Sequence, residues 1–224
     1  AYATEMLGEV HGRTDLTPMW VADMNFETPA FITDALRNRL DHSLFGYTVI
    51  PKDFWPTVTD WIRNHHQWDV KAEWMRYIPG IVKGIGFVIN VFCKEDEKVI
   101  IKPPVYHPFR LTPLGNKRQV VMNPMHRNDD GTYSMDFDNL AKVADEKCRV
   151  LILANPHNPA GIVWDVETLK RLAHFCCERN IIVISDEIHC DMALFGNKHH
   201  PFANVSEEAA RCSITFGAPS KTFN

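Results

Sequence analysis

Residues 212–224 read CSITFGAPSKTFN and place a lysine shortly after a short apolar run. The run Cys212–Phe216 has the length and composition of a buried strand, and Gly217 to Ser220 form a turn of small residues before Lys221. In an open parallel sheet, ligands bind beyond the carboxyl ends of the strands. A lysine held there can be shielded from water and present its amine as a nucleophile. An ordinary surface lysine in a loop is the alternative, and this stretch alone does not decide between the two.

Two upstream stretches have the same design, an apolar run that ends in polar residues. Residues 149–161 read RVLILANPHNPAG, and residues 181–189 read IIVISDEIH. Asn158, Asp186 and Lys221 therefore each follow a separate strand, and their loops are predicted to meet at one edge of a parallel sheet. An amine, a carboxylate and an amide that converge in this way fit pyridoxal 5'-phosphate (PLP).

These motifs resemble the fold-type I PLP-dependent enzymes of aminotransferase class I/II. The residues of these motifs are most similar to those of the C–S lyase branch of that superfamily, the cystathionine β-lyase-like proteins. The resemblance covers nearly the whole chain, in order. The motifs are WVADMNF (20–26), FGYT (45–48), IPGIV (78–82), PPVYHPF (103–109), NPHNPAG (155–161), SDEIHCDM (185–192) and SKTFN (220–224).

The resemblance implies that Lys221 forms the Schiff base with PLP and serves as the general base. It also implies that Asp186 pairs with the pyridinium nitrogen and that Asn158 donates to the phenolic oxygen. The other residues that the resemblance places at the cofactor are Tyr106 stacked on the ring, Ile188 on the opposite face, His189 near the phenolic oxygen, Ile81 and Val82 as backbone donors to the phosphate, Ser220 beside the lysine, and Tyr47 reaching the phosphate from the partner subunit. From the residues alone, a packed aromatic side chain is the first interpretation of Tyr47, and a tyrosine that fills the core of a loop is the alternative for Tyr106.

Strand and helix patterns alternate from residue 79 onward, which predicts an α/β fold with a mainly parallel sheet flanked by helices. The resemblance implies a seven-stranded-type sheet, an N-terminal arm (1–27) and a PLP-binding large domain (28–224). It also implies a C-terminal small domain that this chain lacks. The arginine that grips the substrate carboxylate is expected in that small domain, so the fragment itself is predicted to be inactive.

A helix is predicted from Asp136 to Asp145, and caps and apolar spacing predict four more. They begin at Thr28-Pro29, at Asp53 (running to His66), at Ile81 (running to Phe92) and after Asp165 (running to Arg179). The third is apolar on nearly all sides and is predicted to be buried. The pair His65-His66 is predicted to be a solvated helix end, and Cys176 is predicted to lie in the core.

The bulk composition excludes several classes of function. Of 224 residues, 45% are hydrophobic and 23% are charged, and the net charge is −4. These values predict no nucleic-acid or membrane partner. The six cysteines form no C-x-x-C pair, so we expect free thiols, no disulfide framework and no metal. The longest apolar runs are strand-sized and the first ten residues have no signal-peptide character, which predicts a cytoplasmic protein.

Three functions remain open at this point. The first is a PLP-dependent C–S β-lyase that converts cystathionine or cysteine conjugates to pyruvate, ammonia and a thiol, acting as a homodimer on small amino-acid substrates. The second is an aminotransferase of the same fold, which would use the same lysine, aspartate, asparagine and tyrosine. The third is a non-catalytic module, which the intact lysine and aspartate and the lack of a helix-turn-helix segment disfavour.

Overall fold

The computed structural model describes residues 4–16, 24 and 26–223. The chain divides into two compact units, one formed by residues 1–49 with 219–224 and the other by residues 50–218. The predicted arm and large domain stay a prediction. The motif at residues 20–26 lies mostly outside the described residues. Among the described helices, none combines the length and apolar character needed to cross a membrane.

The helices and strands follow the alternation predicted from sequence. The helices are α1 (Thr4–His11), α2 (Ala30–Asp41), α3 (Phe54–His66), α4 (Ile81–Phe92), α5 (Pro108–Gly115), α6 (Phe137–Val143), α7 (Val166–Glu178) and α8 (Glu207–Arg211). The strands are β1 (Lys98–Ile101), β2 (Gln119–Met122), β3 (His126–Arg127), β4 (Tyr133–Ser134), β5 (Cys148–Ala154), β6 (Ile182–Asp186) and β7 (Ser213–Phe216). Single 3-10 turns cover Ala72–Trp74, Cys190–Met192, Phe202–Asn204 and Pro219–Lys221.

The larger unit is built on a sheet with the strand order β2-β1-β5-β6-β7, and every pair in it is parallel. This confirms the predicted parallel sheet, to which the described residues contribute five strands. The prediction that β7 is buried was wrong. In the described part of the chain β7 is the edge strand, and all four of its residues are half-buried because only β6 pairs with it.

Helices cover both faces of this sheet, and alternate strand residues supply the two halves of the core. Helix α4 packs against one face, where Val99, Ile101 and Ile184 are buried. Helix α7 packs against the other, where Ile100 and Val183 are buried. The strand residues that face α4 and those that face α7 therefore form two separate apolar layers.

Helix α7 was predictable because it has both a capping residue and apolar residues at helical spacing. Asp165 accepts a hydrogen bond from the Thr168 N–H at 2.8 Å, which caps the first turn. Its buried residues follow helical spacing, and each large one contributes about 1.5–3 kcal/mol by leaving water. They are Leu169, Leu172, Ala173 and Cys176. The prediction that Cys176 lies in the core is thereby confirmed.

Helix α4 has the predicted bounds, but the prediction that it is buried holds only for the side that faces the sheet. Ile85 and Ile89 are fully buried against the sheet. On the outer side, 55% of Phe87 and 73% of Val91 are exposed. The helix covers one face of a single sheet, so residues on its far side find no second layer among the described residues. An apolar helix face left open in this way is typical of an interaction surface.

Gly84 holds α4 close to the sheet, and this predicts a large difference between two neighbouring glycines. A Cβ at Gly84 would lie 2.1 Å from Ile78 Cδ1 and 2.6 Å from the ring of Phe216, whereas a Cβ at Gly86 meets its nearest atoms at 3.6 Å. We expect Gly84→Ala to lower the free energy of unfolding by about 1–3 kcal/mol through overpacking. Gly86→Ala should be neutral or raise it by up to about 1 kcal/mol through reduced backbone entropy.

Urea denaturation of the two variants beside the unmodified protein checks this prediction. Equal midpoints for Gly84→Ala and Gly86→Ala would show that α4 can move away from the sheet without cost.

The smaller unit contains α1 and α2. Helix α1 lies in the segment that was predicted to be an arm without regular structure. No helix was predicted there because the apolar residues of this segment are too few to show a clear period. Helix α2 begins at Ala30, one residue after the predicted first position.

Candidate active site

The carboxyl ends of β5 and β6 bring together two of the predicted site segments. Asp186 is the last residue of β6 and is paired in register with Ala154 at the end of β5. The Asn155 N–H donates to the Asp186 carbonyl oxygen at 2.9 Å, so the NPHNPAG loop departs directly beside Asp186. The predicted convergence of the two loops on one edge of the sheet is therefore present in the structure.

The Asp186 carboxylate is buried and has few partners. It accepts a hydrogen bond from the Ile188 N–H at 3.2 Å, and within its own unit no lysine, arginine or histidine of the described residues forms an ion pair with it. The pKa of Asp186 is raised to about 6, chiefly by burial and to a smaller extent by the nearby charge of Glu187, while the hydrogen bond from the Ile188 N–H acts in the opposite direction. A buried carboxyl group in this state is suited to a cationic N–H donor.

Glu187, the residue after Asp186, has a structural role. Its Oε1 accepts hydrogen bonds from Ser185 Oγ and the Phe202 N–H, each at 2.8 Å. Its Oε2 lies 2.9 Å from His199 Nε2, and both side chains are buried. These contacts fix the backbone that carries Asp186. The sequence did not identify His199, because no spacing links it to the strand motif.

Tyr106 and Asn158 lie next to each other, as the site requires. The Tyr106 N–H donates to the Asn158 carbonyl oxygen at 3.1 Å, which joins the loop after β1 to the loop after β5. The Tyr106 ring is partly exposed and packs edge-on against Phe109 at a centroid distance of 5.9 Å. The ring also packs edge-on against His107 at a centroid distance of 5.2 Å, and its stacking on a cofactor stays a prediction.

The amino end of α4 provides backbone donors. Gly80 precedes the helix with φ of 108°, a conformation that glycine adopts readily, and Ile81 and Val82 occupy the first turn. The first N–H groups of a helix have no partner inside the helix, and the helix dipole is positive there. This end of α4 can therefore bind an anion such as a phosphate.

Two further predicted residues follow Asp186 directly. Ile188 is half-buried and packs against the apolar cluster on the α4 face of the sheet. His189 is half-buried and precedes the 3-10 turn Cys190–Met192. Both are placed where they can line a ligand bound beside Asp186, and their predicted contacts with a cofactor stay predictions.

The remaining predicted residues belong to the smaller unit. Ser220 and Lys221 lie in the 3-10 turn Pro219–Lys221 that follows the chain out of β7, and the Lys221 side chain is half-buried. Tyr47 is fully exposed. The meeting of Lys221 with Asp186 and the reach of Tyr47 to a partner subunit stay predictions.

The prediction that His65-His66 is a solvated helix end was wrong for His66. His66 is buried, and its Nε2 lies 2.8 Å from Asp191 Oδ1, which also accepts a hydrogen bond from Trp61 Nε1 at 3.1 Å. His66, Cys190 and Asp191 form a group whose potential metal-ligand atoms lie within 4.8 Å of one another. Sequence could not indicate this, because α3 and the turn after β6 are distant in the chain.

Comparison with known proteins agrees with this geometry. The family of aminotransferase class I and II matches residues 17–224. The chain belongs to the aminotransferase class I and II family. Among curated members, the chain is 44% identical over 218 residues to cystathionine beta-lyase PatB of Bacillus subtilis (strain 168), which covers 97% of this chain and 56% of that protein.

Solved structures also resemble the chain along its length. A PLP-bound putative aminotransferase from Clostridium difficile 630 has a TM-score of 0.94 at 38% identity, covering 100% of this chain and 58% of that one. A PLP-bound C–S lyase from Staphylococcus hominis has a TM-score of 0.88 at 35% identity, covering 100% and 56%. The chain thus spans about half the length of the relatives it matches.

Proposed function

We propose that this protein is a PLP-dependent C–S β-lyase that eliminates a thiol from cystathionine or cysteine conjugates. The observation that carries the PLP assignment is the buried carboxyl group of Asp186, held at the carboxyl end of a central parallel strand without a basic partner among the described residues of its unit. The choice of lyase is supported by the 44% identity to a curated cystathionine beta-lyase. A cytoplasmic role in amino-acid metabolism is part of the same proposal.

The residues at the sheet edge fit the cofactor. Asp186 would accept a hydrogen bond from the protonated ring nitrogen, which supplies the positive charge that its buried carboxylate lacks. Tyr106 would stack on the ring and Asn158 would donate to the phenolic oxygen. The backbone of Ile81 and Val82, and with them Ser220, would bind the phosphate. Ile188 and His189 would line the remaining side, and Lys221 would hold the cofactor covalently.

PLP, when bound, accepts the electron pair released at the substrate Cα. Asp186 keeps the ring nitrogen protonated, because a buried carboxylate paired with a cationic N–H favours the charged state of both groups. The Lys221 amine would take the Cα proton as a general base, and the resulting ammonium would give that proton to the sulfur that departs from Cβ as a thiol. The Glu187 network with Ser185 and the Phe202 N–H holds the backbone of Asp186 in place.

An aminotransferase is the second candidate. The PLP-bound putative aminotransferase from Clostridium difficile 630 aligns with the whole chain at a TM-score of 0.94. The proposed roles of Lys221, Asp186, Asn158 and Tyr106 serve both reactions, so these residues do not separate the two candidates. The difference lies in whether a thiolate leaves from Cβ or the amino group stays on the cofactor.

The two candidates are separated by assaying the full-length protein with two substrate sets. With cystathionine, a β-lyase releases pyruvate, ammonia and free thiol in equal amounts without a 2-oxo acid. With an amino acid and a 2-oxo acid, an aminotransferase forms a new amino acid. We expect the first reaction to dominate, and transamination without pyruvate release would assign the protein to the second class.

A homodimer is proposed from two exposed surfaces. The outer face of α4 exposes Phe87 and Val91, and the Tyr47 side chain is fully exposed among the described residues. A symmetric dimer would cover apolar surface and bring each Tyr47 to the phosphate of the other subunit. This agrees with the role that the FGYT motif implies.

Tyr47→Phe is expected to weaken PLP retention by roughly 10- to 100-fold, because a hydrogen bond to a charged phosphate is worth about 1.5–3 kcal/mol. Equilibrium dialysis against PLP measures this, with Tyr133→Phe in the hairpin as the control. A mixed dimer of Tyr47→Phe and Lys221→Ala subunits should regain one complete site. A monomeric protein with full activity would contradict the proposal.

A further inference from the structure

Three buried polar side chains of the larger unit, which the proposed function does not use, each contain a nitrogen atom without a hydrogen-bond partner among the described residues. They are Lys102, Asn123 and His157, each less than a tenth exposed. Among the described residues, Lys102 Nζ, Asn123 Nδ2 and both ring nitrogens of His157 have no hydrogen-bond partner. The other polar atom of the asparagine, Asn123 Oδ1, accepts a hydrogen bond from Asn139 Nδ2 at 2.7 Å. Buried polar groups are nearly always paired, so three in one region require an explanation.

The topology places the three on the α7 face of the sheet, away from Asp186. Each follows the carboxyl end of one of three neighbouring strands, β1, β2 and β5. The Asn123 N–H donates to the Ile101 carbonyl oxygen at 2.9 Å, which extends the parallel register so that Asn123 lies beside Lys102. Strand alternation puts Lys102 on the side of Ile100, within the layer that α7 covers.

The His157 ring packs edge-on against Trp164, a member of the same apolar layer, at a centroid distance of 5.7 Å. Burial, together with the charge of Lys102, lowers the pKa of His157 to about 4. His157 is therefore close enough to Lys102 to sense its charge, and it is neutral at pH 7.

Among the described residues, the amine of Lys102 has no counter-charge within hydrogen-bonding distance. Burial lowers the pKa of Lys102 to about 8, and Cys176 and Asp136 act in the opposite direction. The amine therefore still carries its charge at pH 7. Asp136 does not form an ion pair with Lys102 in the described structure; its carboxylate instead accepts the Asn139 N–H at 2.8 Å and caps α6. A buried charge without a partner is costly.

We propose that Lys102, Asn123 and His157 form a buried binding site for a small inorganic anion of the halide class, such as chloride. The lysine ammonium, the asparagine NH₂ and one N–H of the neutral imidazole supply three donors. A water molecule could accept these hydrogen bonds, but it would leave the charge of Lys102 unbalanced. An anion satisfies both needs at once.

Bromide, which replaces chloride and scatters anomalously, tests the site directly. Crystals of the purified protein grown in sodium bromide should show an anomalous peak in contact with Lys102 Nζ, and crystals of Lys102→Met should lack it. Bromide peaks only at the surface, or a water molecule beside Lys102 Nζ, would overturn the proposal.

Thermal unfolding at constant ionic strength gives an independent test in solution. When gluconate is replaced by chloride, the unfolding midpoint should rise for the unmodified protein and for the exposed control Lys142→Met, because the anion binds only the folded state. It should not rise for Lys102→Met or, if that variant fails to fold, for Lys102→Gln. Equal chloride responses in all variants would overturn the proposal.

Discussion

Lys221→Ala is expected to abolish covalent retention of PLP. After incubation with PLP and reduction with borohydride, the unmodified protein should carry one cofactor mass per chain and the variant none. The reason is that Lys221 follows β7 in the chain, within the SKTFN motif, and β7 pairs with the strand that carries Asp186. Intact-mass spectrometry measures the difference, which should be complete rather than partial.

Lys102 provides the sharpest control for this result. It also follows the carboxyl end of a strand, and burial lowers the pKa of its amine to about 8, which favours a nucleophile. It lies on the α7 face of the sheet, however, whereas the alternation of β6 puts Asp186 on the side of Ile184, the α4 face. Lys102→Met should therefore retain reducible PLP. The opposite pattern, with retention in Lys221→Ala and loss in Lys102→Met, would assign the cofactor to Lys102.

Asp186→Asn is expected to slow β-elimination by the full-length protein by several orders of magnitude while PLP still binds. An amide cannot keep the ring nitrogen protonated, so the electron pair at Cα loses its acceptor. Single-turnover kinetics with cystathionine measure this effect. Near-normal turnover in this variant would remove Asp186 from the mechanism.

The same substitution is expected to stabilise the cofactor-free protein. The folded carboxyl group has a pKa of about 6, whereas an unfolded aspartate titrates near 4. Between these values the folded state keeps a proton that the unfolded state has lost, so the stability of the unmodified protein falls as the pH rises through this window. Above pH 6 the loss amounts to about 3 kcal/mol, as an order of magnitude.

Asp186→Asn removes that titration. Its free energy of unfolding should therefore exceed that of the unmodified protein by about 3 kcal/mol at pH 8 and by much less at pH 4. Urea denaturation at both pH values measures the difference. A difference that does not change with pH would show that the Asp186 carboxyl is solvated in the folded protein.

The sequence predicts most of the fold because its local signals agree with the packing. Helix α7 has its cap at Asp165 and its apolar residues at helical spacing, and β6 is a run of apolar residues that ends at a carboxylate. The edge position of β7 could not be predicted, because strand order depends on pairing between distant segments. The exposed face of α4 could not be predicted either, because apolar composition does not say how many layers surround a helix.

Some residues of the candidate site were also predictable from the sequence, and other contacts there were not. Asp186, Asn158 and Tyr106 were predictable because each follows a strand, and strands of a parallel sheet end at one edge. The contacts of Glu187 with His199 and of His66 with Asp191 join segments without any shared motif. The unpaired Lys102 was missed because it precedes the PPVYHPF motif, which drew attention to Tyr106, and because burial of a lysine has no local signature.

The most direct test of the account is a crystal structure of the full-length protein soaked with PLP. We expect the cofactor at the carboxyl edge of the sheet, with its ring nitrogen within hydrogen-bonding distance of the Asp186 carboxylate and its aldehyde carbon bonded to Lys221 Nζ. The phosphate should lie at the amino end of α4, beside Ile81 and Val82. A cofactor bound elsewhere, or a ring nitrogen that does not contact Asp186, would contradict it.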